Sequence, residues 1–443
     1  MNPWDNRGLL RLLWPLVAEQ ILAVTMGAAD TIMVSSAGEA AVSGVNIIDN
    51  INNLFIIAFT ALSTGGTVVV SQYIGRGDTE NARCASRQLY HVVILAALGV
   101  MLPALIWRRS IIRFLYGKVA EDVMDAGSIY FFITALSYPF LGIYNACAAL
   151  FRSAGNSGAP MGIALLVNCT NIAGNCLFIF GLGLGAEGAA LATLSSRVIA
   201  ASALTWMLLR SPLPVGLRGL RKVGLHRVMI RRILRVGIPS GLEGSLFQTG
   251  RLLTQRIFTS FGTAAIAGNA VAGVINSFSF MPGNAYSIAL LTVVGQCIGA
   301  GAAEAAERNT ATIMKLSWFT LLVLSALIFF FMEPLIGLFN LSPEAHGMAG
   351  AFLRVHCVSM VMGWSFSFAL PSALRAAGDV RFVMIAAAVS MFAVRVSCAY
   401  LFTFVLGAGP LGVWIAMGLD FLSRGICYGL RWKSGRWKEK RVI

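Results

Sequence analysis

VVSQYIG at residues 69–75 recurs as VVGQCIG at residues 293–299, and the two segments are offset by 224 positions. The same shift aligns several identical residues, among them Pro15 with Pro239, Glu19 with Glu243, Gly38 with Gly262, Gly44 with Gly268 and Gly188 with Gly412. Self-similarity maintained over such a distance indicates an internal duplication. The sequence therefore predicts two structurally similar halves.

The residues between these landmarks are strongly apolar. Of the 443 residues 57% are hydrophobic and 12% are charged, and the mean hydropathy is +0.76. Soluble domains carry about 25% charged residues, so this composition predicts an integral membrane protein. Apolar windows of roughly 20 residues or more, the length of a spanning helix, recur at 12–37, 45–72, 88–107, 126–150, 161–182, 188–209, 233–260, 269–298, 312–332, 348–372, 381–407 and 410–430.

Twelve such windows, six in each half, predict an all-α membrane protein of twelve transmembrane helices. Because six is an even number, both halves enter the membrane in the same direction and form two parallel six-helix repeats. The predicted domains are an N-terminal six-helix lobe (1–209), a basic cytoplasmic linker (210–235) and a C-terminal six-helix lobe (236–443).

The net charge of +15 follows the predicted topology. Most of the 34 Lys and Arg residues fall in cytoplasmic segments if both termini are cytoplasmic, which is the distribution of a bacterial inner-membrane protein. A nucleic-acid partner would require a soluble basic domain with aromatic platforms, so we expect none. The eight cysteines form no CxxC pair, and the sequence predicts neither a zinc site nor a disulfide framework.

Four segments carry a resemblance to a known family: WPLVAEQILAVTMGAADTIMVSSAGEAAVSGV (14–45), SQYIGRGDTENA (71–82), LFRSAGNSGAP (150–160) and TNIAGNCLFIFGLGLGAEGAALAT (170–193). Together with their second-half repeats, they resemble the MATE (multidrug and toxic compound extrusion) family of the MOP superfamily. The resemblance implies a V-shaped pair of six-helix lobes that alternate between inward-open and outward-open states. It also implies a monomeric antiporter, not an enzyme, that exports organic, often cationic, compounds against H⁺ or Na⁺, with membrane lipids as its other partners and no further cofactor.

Asp30 is the strongest candidate for the coupling residue. It lies midway along the first predicted span, where an ionisable side chain is costly and usually functional. Such a carboxylate can take up a proton, or hold Na⁺ if neutral oxygens complete the shell. Asn171 and Asn175, one helical turn apart on the fifth span, and Thr193 on the sixth are candidates for those oxygens.

One branch of the family, often called DinF-type, has a first-lobe cation site whose members map by resemblance onto Asp30, Asn171, Asn175 and Thr193. That branch has a second acid where this chain has Asn175, so we expect a single carboxylate here. The structural alternative for the two asparagines is interhelical hydrogen bonding, worth about 0.6 kcal/mol on average. No metal site is predicted apart from Na⁺ binding at Asp30.

A second-lobe cation site, used by another branch of the family, is not expected because the tenth predicted span has no carboxylate. Glu243 repeats Glu19, and we interpret both as structural. The i, i+8 spacing of Glu243 and Arg251 suggests an ion pair within this lobe, and Arg395 with Asp420 suggests another; a second-lobe polar network is the functional alternative. The role of Arg256 stays open.

Asn46, Asn50 and Asn53 form a polar stripe on the second predicted span, with Asp49 beside it. A polar stripe of this kind must face water or protein, so we expect it to line the outer part of a central cleft. The main rival function is a lipid-linked or glycan flippase of the same superfamily. An enzyme or a channel is a lesser rival, because the spans show no reactive cluster and nothing indicates a pore formed by oligomeric symmetry.

Overall fold

The structure, a computed structural model, describes residues 4–35, 39–117, 120–220, 224–440 and 442–443. These residues are mostly helical and include no β-strand. They divide into two compact units, one comprising Arg7–Gly241 and the other Leu242–Ile443 with the N-terminal residues up to Asn6. The all-α fold class is therefore confirmed.

The first unit is built on eight α-helices and the beginning of a ninth. The eight are α1 (Asn6–Ser35), α2 (Glu39–Arg76), α3 (Thr79–Ile106), α4 (Arg108–Tyr116), α5 (Glu121–Leu136), α6 (Tyr138–Ser153), α7 (Gly158–Asn175) and α8 (Gly185–Arg210). A π-helical segment, Cys176–Gly181, continues α7. α5 and α6 are bent by 44° at their junction, where a proline occupies the first turn of α6 and cannot continue the hydrogen bonding of α5.

The remaining α-helices are α9 (Arg227–Phe258), α10 (Gly262–Gly299), α11 (Ala303–Phe330), α12 (Met332–Gly337), α13 (Pro343–Ser359), α14 (Leu370–Ala376), α15 (Val380–Val389), α16 (Ser397–Tyr400) and α17 (Leu411–Lys433). Three π-helical segments interrupt this half: Met360–Ala369, Ser390–Val396 and Leu401–Val405. Single-turn 3₁₀ segments lie at Thr259–Phe261 and Arg436–Glu439. π-helical turns are frequent at functional sites. One of them begins directly after Asn175 and another contains Arg395.

The helices correspond to the twelve predicted spans. By length and composition, nine helical stretches in the described ranges are suited to cross a membrane, and one of these, Arg227–Gly299, contains both α9 and α10. The bent pair α5 and α6 supplies the fourth predicted span. The twelfth corresponds to α17, which carries the buried charges Asp420 and Arg424 and is therefore less apolar than the others.

Each unit has its own hydrophobic core. In the first, Ile48, Phe131 and Tyr138 are among the fully buried side chains. In the second, Phe352 and Trp414 stack with ring centroids 5.7 Å apart. α9 begins at Arg227, inside the segment predicted as the basic linker, and the division between the two units falls within the same helix. The three predicted domain segments stay a prediction.

Candidate functional site

Asp30 on α1 is joined to two asparagines of α7. Asn175 donates through Nδ2 to Asp30 Oδ1 at 2.5 Å and to Asn171 Oδ1 at 3.2 Å. Both asparagines are fully buried. Because they lie four residues apart, α7 presents them on one face, and that face is directed at α1. The structure thus brings together three of the four residues predicted for the cation site.

Two polar atoms of this cluster are buried without a hydrogen-bond partner among the described residues: Asn175 Oδ1 and Asn171 Nδ2. A buried unsatisfied polar group costs about 1–3 kcal/mol. Asn175 Oδ1 is an amide oxygen, the kind of ligand that hard cations take together with carboxylates. The chemistry of the cluster therefore fits a small cation.

Thr193 lies on α8, which approaches α7 closely beside the cluster. A Cβ added to Gly174 would lie 3.0 Å from the Cβ of Ala192, and these residues are the neighbours in sequence of Asn175 and Thr193. Thr193 is 7% exposed, and its backbone carbonyl accepts from Ser196 Oγ at 2.9 Å. Within the described ranges its hydroxyl forms no hydrogen bond with the cluster, so its place in a cation site stays a prediction.

A further carboxylate of this unit, Asp49 of α2, has its own hydrogen-bond partners. Its Oδ1 accepts from Tyr130 Oη at 3.2 Å and from Asn52 Nδ2 at 3.2 Å. Tyr138 in turn donates to Asn52 Oδ1 at 2.7 Å. Sequence reasoning placed Asp49 beside the asparagine stripe but did not connect it with Asp30. The tyrosines that hold it come from α5 and α6, far from α2 in sequence.

Asp49 and Arg197 are the charged residues that act electrostatically on Asp30. Arg197, on α8, donates through Nη1 to Ser137 Oγ at 2.6 Å. With all three groups ionised, two carboxylates and one guanidinium leave one negative charge. Uptake of one proton or one monovalent cation would balance it.

Asn46, Asn50 and Asn53 are exposed on α2. Asn50 Nδ2 donates to the backbone carbonyl of Asn46 at 3.0 Å. The stripe is therefore available to solvent or ligand, and its role in lining a cleft stays a prediction.

The expected ion pair between Glu243 and Arg251 is wrong. Glu243 is paired with Arg375 of α14, and Arg251 forms no ion pair with a described residue. The reason is distance along the helix, because eight residues span about 12 Å. Asp420 lies 3.9 Å from Arg395 Nη1 but 2.6 Å from Arg424 Nη2, so the expected contact with Arg395 exists at long range and Arg424 is the closer partner.

The duplication is also visible in a comparison with known families. The sequence profile of MatE matches residues 15–177 and 239–401, two segments offset by the same 224 residues as the internal repeat. The matched segments begin at the repeated prolines, Pro15 and Pro239.

Relatives of similar length match almost the whole chain. The uncharacterized transporter YisQ of Bacillus subtilis is 28% identical, over 98% of this chain and 95% of its own. The probable multidrug resistance protein NorM of Thermotoga maritima is also 28% identical, over 100% and 95% of the two chains. A NorM of Pseudomonas putida is 26% identical over 99% and 97%.

Solved structures of other transporters have the same fold as this chain. A multidrug resistance MATE family transporter of the MOP superfamily in an outward-facing conformation superposes with a TM-score of 0.91, at 21% identity over 98% of this chain and 96% of that one. A MOP superfamily transporter from Pyrococcus furiosus, described as having a binding pocket of reverse polarity that suggests a different function, gives a TM-score of 0.91 at 22% identity over 98% and 97%.

Proposed function

Because the chain belongs to the MatE family of multi-pass membrane transporters, we propose that it is a secondary antiporter that exports small organic compounds in exchange for H⁺ or Na⁺. Its NorM relatives are described as probable multidrug resistance proteins. The observation that carries the coupling part of the proposal is the hydrogen bond between Asn175 and Asp30 within a buried cluster. We place both termini in the cytoplasm, as the distribution of basic residues predicts.

Asp30 is the group that binds the coupling ion. A proton would add directly to its carboxylate, whereas Na⁺ would be held by the carboxylate together with the amide oxygens of Asn171 and Asn175. Asn175 has one amide atom committed to Asp30 and its oxygen without a described partner. The cluster therefore offers ligands for either ion.

We propose a transport cycle of alternating access, in which the protein opens first to one side of the membrane and then to the other. An external cation binds Asp30, favours the state that releases the exported compound outward, and then leaves to the cytoplasm. Coupling of this kind is reciprocal, so the exported compound must in turn weaken cation binding. One charge crossing 100 mV contributes about 2.3 kcal/mol, which sustains roughly fortyfold accumulation of an uncharged compound; a monovalent cation exchanged one for one is driven by the concentration gradient of the ion alone. A single ion per cycle is sufficient to drive export.

Everted membrane vesicles provide the test. Accumulation of rhodamine 6G, a cationic dye, and of sulforhodamine B, an anionic dye on a similar frame, is followed under an imposed proton gradient and then under an imposed sodium gradient. The variants are Asp30→Asn and the matched control Asp125→Asn, whose carboxylate is exposed and paired with Arg109. We expect Asp30→Asn to abolish gradient-driven accumulation and Asp125→Asn to leave it intact.

The ion that supports accumulation in the wild type identifies the coupling ion. Wild-type accumulation that survives Asp30→Asn would show that Asp30 is structural and would contradict the coupling proposal. If the wild type moves neither dye under either gradient, the antiporter proposal fails and a flippase of the same superfamily becomes the better reading.

A further inference from the structure

A cavity of about 340 Å³ lies within the second unit, between α9, α10 and α17. Its wall includes two arginines, Arg251 and Arg395, together with the polar side chains of Thr254, Asn269 and Asn276. None of the described residues that line it is Asp or Glu. The formal charge of its lining is therefore positive.

Asp420, the carboxylate that lies beside Arg395, already has other partners. Its Oδ2 accepts from Arg424 Nη2 at 2.6 Å, and its Oδ1 accepts from Ser390 Oγ at 2.7 Å. The guanidinium of Arg424 also lies over the ring of Phe368, 4.7 Å from its centroid. Asp420 and Arg424 thus form a close buried ion pair, although Arg424 Nε has no hydrogen-bond partner among the described residues.

Arg395 is left incompletely neutralised by this pair. Its Nη1 lies 3.9 Å from Asp420 Oδ2, at the outer limit of an ion pair, and its Nε is buried without a described hydrogen-bond partner. The side chain is 8% exposed. A buried guanidinium with a free donor on a cavity wall is suited to an anionic ligand.

Arg251 adds a second positive charge to the same wall. It forms no ion pair with a described residue, and it acts electrostatically on Arg395. The positive charges of Arg251 and Arg395 repel each other, and an anion that contacts both would relieve that repulsion.

The remaining lining supplies a hydrogen-bond donor and apolar walls. Trp414 Nε1, which can only donate, binds Asn269 Oδ1 at 3.2 Å, so the amide nitrogen of Asn269 remains as a donor. Phe258, Phe280 and Met417 form the apolar part of the wall. The cavity thus combines donors for an anionic group with surface for an aromatic or aliphatic body.

We propose that this cavity binds the anionic group, a carboxylate, sulfonate or phosphate, of an amphipathic organic ligand, with Arg251 and Arg395 as the contacting residues. The planar guanidinium fork matches the oxygens of such groups. An organic cation, which the family resemblance led us to expect, would instead meet Arg251, which has no described ion pair, and the incompletely neutralised Arg395. If this ligand is also a compound that the protein exports, that part of the inference rests on the proposed function; the binding itself does not.

The test measures binding to the purified full-length protein in phosphatidylcholine nanodiscs, so that its failure is distinguishable from a failure of ion-driven export. Sulforhodamine B and rhodamine 6G are titrated by fluorescence anisotropy against wild type, Arg251→Gln and the matched control Arg256→Gln. Arg256 lies on the same helix, is exposed and does not line the cavity. Thermal melting establishes that the variants are folded, and Arg251→Lys tests whether charge alone is sufficient.

We expect Arg251→Gln to weaken sulforhodamine B binding about tenfold or more, the loss that follows from removing one charged hydrogen-bond donor. Arg256→Gln should bind the dye as the wild type does, and rhodamine 6G should not lose affinity in Arg251→Gln. The proposal is overturned if Arg251→Gln changes neither dye or weakens both alike.

A second arm separates a soluble anion from a lipid headgroup. The sulforhodamine B titration is repeated with phosphatidylglycerol added to the nanodiscs. If phosphatidylglycerol weakens sulforhodamine B binding to the wild type but not to Arg251→Gln, the site binds an anionic lipid headgroup. If phosphatidylglycerol leaves sulforhodamine B binding to the wild type unchanged, the site binds a soluble anionic compound. Either result supports an anion site.

Discussion

Arg375 holds Glu243 through two parallel hydrogen bonds, from Nη2 to Oε1 at 2.6 Å and from Nε to Oε2 at 3.3 Å. In the first half Glu19 is paired with Arg152, which corresponds to Arg375 after a one-residue slip of the repeat between RSAG (152–155) and RAAG (375–378). In each half the pair connects the first helix of that half, α1 or α9, to the last turn of the helix that completes its fourth span, α6 or α14. The duplication has therefore kept a specific, mostly buried contact as well as a pattern of apolar residues.

Removing one partner of this pair should destabilise the protein strongly. Glu243 and Arg375 have side chains that are 14% and 16% exposed, so Glu243→Gln leaves a guanidinium without its counter-charge in a largely buried position. We expect a loss of about 3–5 kcal/mol. Thermal unfolding in detergent, followed by far-UV circular dichroism, measures the change, and Glu19→Gln should behave in the same way.

The matched control is Glu307→Gln, which breaks an ion pair with Lys438 whose side chains are 43% and 41% exposed. Exposed pairs contribute about 0–1 kcal/mol. If Glu243→Gln costs no more than Glu307→Gln, the repeated pair has no structural importance.

Asn175→Asp should change cation binding. It introduces a second acid next to Asp30, at the position where the DinF-type branch of the family has one. Two adjacent carboxylates hold a cation more strongly than one. If the vesicle experiment identifies Na⁺ as the coupling ion, we therefore expect the sodium concentration for half-maximal export to fall about tenfold. Export as a function of sodium concentration measures the effect.

Two variants control this experiment. Asn156→Asp adds a carboxylate at an exposed position before α7 and should leave the sodium dependence unchanged. Asn175→Ala removes the hydrogen bond to Asp30 and should impair coupling. A sodium dependence that is the same in Asn175→Asp and wild type would place Asn175 outside the cation site.

Gly65→Ala should destabilise the first unit, because α2 crosses the start of α9 at this glycine. A Cβ at Gly65 would lie 2.4 Å from the carbonyl oxygen of Ile233 and 2.9 Å from the backbone nitrogen of Gly237. Backbone atoms cannot rotate away, so the helices must separate. We expect a lower melting temperature in detergent.

Gly99→Ala is the comparison, since a Cβ there meets nothing within 4 Å and alanine is favoured over glycine inside a helix by roughly 0.5–1 kcal/mol. The two variants should shift the melting temperature in opposite directions. Equal shifts would indicate that the close approach of α2 and α9 is not maintained in the protein.

The N-terminal cap of α3 has no counterpart at α11, and this difference between the two halves can be exchanged. Asp78 caps α3 by accepting from the backbone N–H of Asn81 at 3.0 Å. Its repeat partner Ala302 precedes α11 with similar backbone angles but caps nothing. We expect Asp78→Ala to cost about 1 kcal/mol and Ala302→Asp to contribute about as much. Chemical denaturation at pH 7 measures both; an Ala302→Asp variant no more stable than the wild type would contradict the prediction.

The Asp78 cap also has a defined pH dependence. The side-chain and backbone hydrogen bonds from Asn81 hold the pKa of the Asp78 carboxyl below its usual value of 3.8. Because the pKa is lower in the folded than in the unfolded state, the stabilisation by the ionised Asp78 cap is complete above the unfolded pKa. It is lost as the pH falls through the folded pKa. The difference in stability between wild type and Asp78→Ala should be constant above about pH 4 and shrink below it.

The sequence by itself determined the membrane-spanning architecture and the duplication. An apolar stretch long enough to cross a bilayer must become a helix there, because only a helix satisfies its own backbone. Helical periodicity likewise placed Asn171 and Asn175 on one face, and the cost of burying a charge singled out Asp30.

Only the tertiary structure decided which groups meet. Periodicity shows which residues share a face but not which helix that face contacts, so the pairing of Asp30 with Asn175 had to be taken from a family resemblance. Nothing in the sequence placed Asp49 in the surroundings of Asp30, or gave Glu243 the partner Arg375 in place of Arg251. The positive cavity of the second unit could not be predicted from the sequence for the same reason. Its charge depends on which of three arginines is closest to Asp420, and that is a matter of distances between helices remote in sequence.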